Sequence, residues 1–282
     1  MQDISTDSCD DVTKVEMLPH VAVPTLVSRR IARVPQVAFM HLPKTGGSSA
    51  LSALQKHLPE SAIHTVAFGV PGDPDNLDLS VLRDKSLLHG HFSARWVGLF
   101  DRATPIAVCL REPGATTRSF YKYFLAFRPE ELTGRQALVR KSAENGFKSY
   151  LQFMRTERAS QYYVHYLDPL YGAPGHTTLQ GAALDKSVAR AKLFLDRCDI
   201  VGVTEQIDSF VQKILAALEV SVERVEIESV NVSTDLASQY PERFLPVAET
   251  DEQLDDETEE LLQEINRPLN EIYEHAKALA AG

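Results

Sequence analysis

Apolar residues along the chain alternate between short unbroken runs and longer stripes with a period near 3.6. The runs Gln36–Leu42, Ser86–Ser93, Ile106–Leu110 and Ile200–Thr204 predict buried strands. Between and after them, the spacing predicts helices. Leu51, Leu54 and Leu58 mark one that starts at Ser48 and runs to about His57. Leu184, Val188, Ala191 and Leu195 mark another, and Ile207, Phe210, Val211, Ile214, Leu215 and Leu218 a cleaner one. Residues beyond Arg128 read as helical to about Arg158. Asp251–Ala280 carries Leu254, Leu261, Leu262, Ile265, Leu269, Ile272, Tyr273 and Ala276 at helical intervals, with Pro268 expected to kink or split it. Strands of the fully covered type, interleaved with helices, define an α/β class with a central, mostly parallel sheet flanked by helices. Met1–Arg30 lacks sustained periodicity and reads as an N-terminal tail, with Val21–Val27 able to pack along the body. Residues 31–282 then form a single domain, and Pro71–Asn76 is a loop by composition.

The stretch Gln36–Leu51, QVAFMHLPKTGGSSAL, orders a strand, a small-residue turn and a helix N-terminus. Such a junction seats an anion, because the first N–H groups of the helix lack partners, the dipole is positive there, and glycines let the backbone approach closely. Thr45, Ser48 and Ser49 add hydroxyl donors, Lys44 adds a cation, and Gly46 and Gly47 form the turn. The bland alternative is a serine-capped glycine turn. A Walker A loop, GxxxxGKS or GxxxxGKT, is excluded, because Lys44 precedes the glycines.

Two further places carry chemistry. In SLLHGHFS, His89 and His91 share one strand face, with Gly90 opening the backbone between them. Such a pair can bind a metal, pack as neutral core groups or supply a general base. No carboxylate or cysteine lies nearby in sequence to complete a metal set. In PIAVCLREPGATTRSFYKY, Arg111 follows the central apolar run, at the end where open α/β sheets bind ligands. Pro113-Gly114 turns the chain, and Thr116 or Thr117 can cap a helix carrying Arg118, Ser119 and Tyr123. Arg111 and Ser119 could hold one phosphate from two sides, and pairing of Arg111 with Glu112 is the plain alternative.

Composition narrows the partners. The chain has 282 residues, 44% hydrophobic and 24% charged, and a net charge of −10, which disfavours nucleic acid and acidic membrane. Its charge is uneven: Arg111–Arg158 holds ten Lys/Arg against five Asp/Glu, and Asp251–Glu264 eight acids and no base. A basic middle in an acidic chain suits a small anionic ligand. Cys9, Cys109 and Cys198 are too few and too far apart for a disulfide framework or zinc site, and Cys109 reads as a core thiol. No apolar stretch approaches a membrane span, and the N-terminus is acidic where a secretory signal would be basic. The expectation is a cytoplasmic protein without a membrane span, a metal or a nucleic-acid partner, its oligomeric state left open.

HLPKTGGSS resembles the 5′-phosphosulfate loop of sulfotransferases that use 3′-phosphoadenosine 5′-phosphosulfate (PAPS). It is similar to the carbohydrate branch that includes the heparan sulfate 2-O-sulfotransferases, as a soluble bacterial-type member. That branch also carries R-D/E-P-x-x-R-x-x-S-x-Y/F after a central strand. Arg111, Glu112, Pro113, Ser119 and Tyr121 match it; the inner arginine falls on Thr116, and Arg118, two positions on, faces about 200° away on a helix. DIVGVTEQIDSF resembles a segment that closes the sheet beside the nucleotide, and Asn231-Val-Ser-Thr one that follows it. The resemblance implies a P-loop-like sulfotransferase fold and PAPS as donor without a metal. It further implies that Lys44, Thr45, Gly46, Gly47, Ser48 and Ser49 hold the 5′-phosphosulfate, and Arg111 and Ser119 the 3′-phosphate. By the branch's H-x-H context, His91 becomes the catalytic base with His89 in support, and Lys44 also the cation on the leaving group. Sulfation of a hydroxyl on a sugar or glycan is the implied reaction. The tyrosines of SQYYVHYLDPLYG could floor the acceptor cleft, as they could pack beneath a loop. A nucleotide-dependent kinase with an atypical phosphate loop and a non-catalytic nucleotide-binding module are the other two readings.

Overall fold

The computed structural model of the protein describes residues 36–66, 82, 84–100, 103–157, 161–171, 179–228, 236–247 and 254–282. The expected tail Met1–Arg30, the boundary after it, Pro71–Asn76 and Asn231–Thr234 lie outside these residues. Five strands, β1 (Val37–Met40), β2 (Ile63–Val66), β3 (Leu87–Gly90), β4 (Ile106–Leu110) and β5 (Ile200–Val203), form one sheet in the order β2-β3-β1-β4-β5, with every neighbouring pair parallel. The chain leaves β1 toward β2 on one side and later returns to lay β4 on the other. The carboxyl end of β1 is therefore a topological switch point, where α/β sheets open a crevice.

Strand residues alternate between two cores. Val37, Phe39, Leu87, Ala107, Cys109 and Ile200 face α1 (Gly47–Gln55) and α7 (Ile207–Ala217). Ala38, Met40, Leu88, Ile106, Val108, Leu110, Val201 and Val203 face α5 (Tyr162–Leu167), α6 (Ala182–Leu195) and the C-terminal half of the last helix. A third cluster joins α2 (Pro113–Ala126), α3 (Gly134–Glu144) and α4 (Phe147–Glu157) to the other half of that helix. A short helix α8 (Leu236–Gln239) packs in a fourth. Burial of both faces is why the strands read as unbroken apolar runs.

Two expectations change here, and that of a kink or split at Pro268 narrows to an unsplit helix. The last helix, α9 (Asp256–Ala280), passes through Pro268 without splitting. Proline removes one bond to the carbonyl four residues back. Leu261, Leu262 and Ile265 nevertheless anchor one half in the α2–α4 cluster, and Leu269, Ile272 and Ala276 anchor the other against the sheet. The segment from 128 to 157 is two helices and a 3₁₀ turn (Pro129–Glu131), interrupted at Gly146, whose φ of 99° no regular helix accepts. Finally, α2 begins at Pro113, and its cap is Glu112 in place of Thr116 or Thr117. The Glu112 carboxylate accepts from Gly114 N at 2.7 Å and Ala115 N at 2.5 Å. Proline at the first helical position with an acid just before it is the start signal. Thr116 and Thr117 are one turn inside, bonded to Glu112 O and Asn266 Oδ1.

Candidate active site

The loop leaves β1 through His41 and reverses at Lys44, which has a φ of 66°. Few non-glycine residues adopt that conformation, and it is held here by two side-chain bonds. Thr45 Oγ1 donates to Leu42 O (2.8 Å), and the Thr204 hydroxyl, just past β5, lies 2.8 Å from Thr45 O and 3.1 Å from Leu110 O. One threonine thus ties the loop to the ends of β4 and β5. Gly46 also has positive φ (80°), and a Cβ there would lie 2.8 Å from Ile207 Cδ1. At Gly47 a Cβ would come within 1.9–2.3 Å of the His41 ring. Both glycines are steric requirements of the loop. The first backbone bond into α1 runs from Ala50 N to Gly46 O, and Gly46 brings no side-chain cap to the first turn.

Arg111 leaves the end of β4 toward this loop, and its Nη1 donates to Lys44 O at 3.3 Å. The two sequence motifs therefore form one site. Lys44 Nζ sits 4.4 Å above the centroid of the Tyr123 ring, an arrangement that favours a cation. Ser119 lies one turn before Tyr123 on the same face of α2. Among the described residues neither Lys44 nor Arg111 is paired with a carboxylate. Burial, with the Arg111 charge adding to it, lowers the Lys44 ammonium to about 8. Arg118 extends one guanidinium nitrogen toward Glu259 of α9 (4.0 Å), and the other lies beside Gly114 and the Glu112 carboxylate.

The histidines stack under the same loop. His91 lies one residue past β3, and its Nδ1 is 2.7 Å from His41 O. A carbonyl only accepts, so Nδ1 carries the hydrogen and the lone pair belongs to Nε2. The His41 ring stacks on His91 at 4.4 Å and contacts His89 at 5.1 Å. Burial lowers the basicity of all three. It holds His89 at about 3, takes His41 well below the ordinary value, and lowers His91 against a small upward pull from its bond to His41. The rings are therefore neutral near pH 7. His89 and His91 do share a face, as expected, but they are not equivalent. His89 is 4% exposed, packs against Phe39 and His41, and has neither ring nitrogen bonded. Its place is inside the core, beneath His41, and not at a reacting surface.

Other expectations fare differently. Tyr162 and Tyr163 are buried in α5 beneath Arg111 and Pro113, so they do not floor a cleft. His165 stacks on Tyr171 at 4.1 Å. Glu228 bonds Lys56 (2.6 Å) and, with Glu205, Asp208, Arg224 and Glu226, lines a cavity of about 510 Å³ beside Ile207, the residue packed under Gly46. The site residues that the sequence did not disclose are His41, Thr204, Tyr123 as partner of Lys44, and Tyr163. Thr204 had a signal in its position just beyond the carboxyl end of a buried strand; Tyr163 had none. Among the described residues there is no cluster of three or more His, Cys, Asp or Glu that could hold a metal, and no helix long and apolar enough to cross a membrane.

No protein-family model matches the chain, and no curated protein matches it. Among solved structures it is similar to a sulfotransferase from Alicyclobacillus acidocaldarius, at 18% identity and a TM-score of 0.44, covering 89% of this chain and 97% of that one.

Proposed function

We propose that the protein is a PAPS-dependent sulfotransferase that moves a sulfuryl group to an acceptor hydroxyl, with a carbohydrate as the acceptor class that its loop motif suggests. The observation that carries this reading is the Lys44–Arg111 pair. At the sheet's switch point the Arg111 guanidinium bonds the Lys44 main chain and its charge acts on the Lys44 ammonium, and among the described residues neither has a carboxylate partner. PAPS supplies an activated sulfuryl group on a 5′-phosphate, marked by a separate 3′-phosphate. The loop residues Lys44 to Ser49 would hold the 5′ end through main-chain N–H groups and hydroxyls, and Arg111 and Ser119 the 3′-phosphate.

His91 Nε2 takes the acceptor hydroxyl's proton as the new S–O bond forms and the bond to the 5′-phosphate oxygen breaks. The neutral, Nδ1-protonated tautomer fixed by His41 O is the form able to do so. Lys44, in its ammonium form, meets the charge that gathers on the departing oxygen. His41 and His89 keep His91 in place as neutral packing partners. The test is PAPS-dependent transfer over a panel of sugars and phenols, read by mass. A gain of one sulfuryl group that is lost in His91→Ala while adenosine 3′,5′-bisphosphate still binds supports the reading. No product from any acceptor, or a fully active His91→Ala, counts against it.

A further inference from the structure

The phenol of Tyr163 occupies an unusual position. β4 ends at Leu110, which pairs with Val203 of β5, and the next residue, Arg111, has no strand beside it. Both of its main-chain groups are met by one side chain from α5, 52 residues on. Arg111 N donates to the Tyr163 hydroxyl at 2.8 Å, and the same hydroxyl donates to Arg111 O. The phenol takes the role of a strand partner for a single residue. Tyr163 is itself fully buried, its ring set against Tyr162 at 4.6 Å, and burial holds its hydroxyl protonated, able to donate and accept at once. Arg111 is thus pinned at its main chain by Tyr163 and at its guanidinium by Lys44 O.

We infer that Tyr163 is a positioning residue that aims Arg111 at the 3′-phosphate and so sets the preference for a 3′-phosphorylated nucleotide. The inference rests on the assignment of Arg111 to that phosphate. An arginine one residue past a strand end has a soft main chain, and a small error there moves the guanidinium by more than a hydrogen-bond length. The fixed phenol removes that freedom before ligand arrives.

The experiment compares calorimetric affinities for adenosine 3′,5′-bisphosphate and adenosine 5′-monophosphate. Tyr163→Phe is expected to lower the preference for the bisphosphate about tenfold, with affinity for the monophosphate changed by less than about threefold. Tyr162→Phe, whose hydroxyl meets Pro113 O at 3.5 Å and the Thr116 and Tyr163 hydroxyls but neither main-chain group of Arg111, should keep most of the preference. Adding Tyr163→Phe to Arg111→Ala should cause no further loss, because the phenol acts through the arginine. If Arg111→Ala keeps the wild-type preference, the 3′-phosphate assignment itself fails. If Arg111→Ala loses it and Tyr163→Phe does not, or Tyr162→Phe loses as much, the positioning role is overturned while the assignment stands. Should Tyr163→Phe not fold, hydrogen exchange in the wild type decides. The Arg111 amide should be protected without nucleotide, and exchange at the rate of an unstructured amide would contradict the role.

Discussion

Two regions of this molecule concentrate positive charge, and they differ in what faces it. Along α2 and α4, Arg118 meets Glu259 at 4.0 Å, Lys148 meets Asp255 at 3.4 Å and Glu257 at 2.5 Å, and Arg155 meets Glu264 at 3.3 Å. The acids all lie in α9 or just before it, so three cations of the chain's basic middle pair with its acidic C-terminal stretch across a helix seam. At the switch point, the Arg111 guanidinium meets the Lys44 main-chain carbonyl and the Lys44 ammonium meets an aromatic ring. Part of the larger charge excess in sequence is taken up by that seam, and two cations 67 residues apart make the candidate ligand site. A count of like charges along a chain cannot separate these cases, because the decisive quantity is the partner in space.

The comparison can be broken first at Lys44. Lys44→Ala should reduce single-turnover transfer by about 10²–10³, the scale of losing one group that stabilises developing charge, with acceptor affinity little changed. Unchanged turnover would remove Lys44 from the chemistry. The acid stability of the histidine stack comes next. The unfolded histidines take up protons near pH 6.5, whereas folded His89 does so only at about 3. Between those values the unfolded state binds more protons, so stability should fall as pH drops below about 6.5, by up to about 1.4 kcal/mol per pH unit for each such group. His89→Leu should flatten the slope of melting temperature against pH from 6.5 to 4; an unaltered slope would contradict the buried neutral assignment.

A finer test uses the Lys44 ammonium. In the ligand-free protein it titrates at about 8, and an adjacent polyanion should raise it toward its ordinary range. Binding of adenosine 3′,5′-bisphosphate near pH 8.5 should then take up a proton, at most about one per site, and uptake should shrink at pH 6.5. Calorimetry in buffers of different ionisation enthalpy reads this directly. Equal uptake by wild type and Lys44→Ala would contradict it. The smallest effect is expected at the seam, where Arg155→Ala removes an exposed pair and should leave nucleotide affinity unchanged. A marked loss of affinity would mean that the seam also serves the ligand.

What the sequence disclosed follows from the range of each interaction. The strand–loop–helix junction and Arg111 at a strand end are encoded within a few residues, so motif order and apolar runs were enough to place them. Pro113 after Glu112 was a local signal too, and the threonines, which cap just as well in principle, obscured it. Tyr163 was beyond reach, because its function is a pair of bonds to a residue 52 positions earlier in a different element. The split between His89 and His91 was equally hidden. Period 2 puts both on one face, but only the neighbouring β1 and its His41 decide which ring is enclosed and which stands at the strand's end.

The central claim is that Lys44 and Arg111 act as one unit on one doubly phosphorylated nucleotide. Calorimetric titration of adenosine 3′,5′-bisphosphate into wild type and the Lys44→Ala/Arg111→Ala double variant tests it. The expected result is a single site in the wild type and an affinity at least about a hundredfold weaker in the double variant. Equal affinities for a double variant with an unchanged melting profile would contradict the claim.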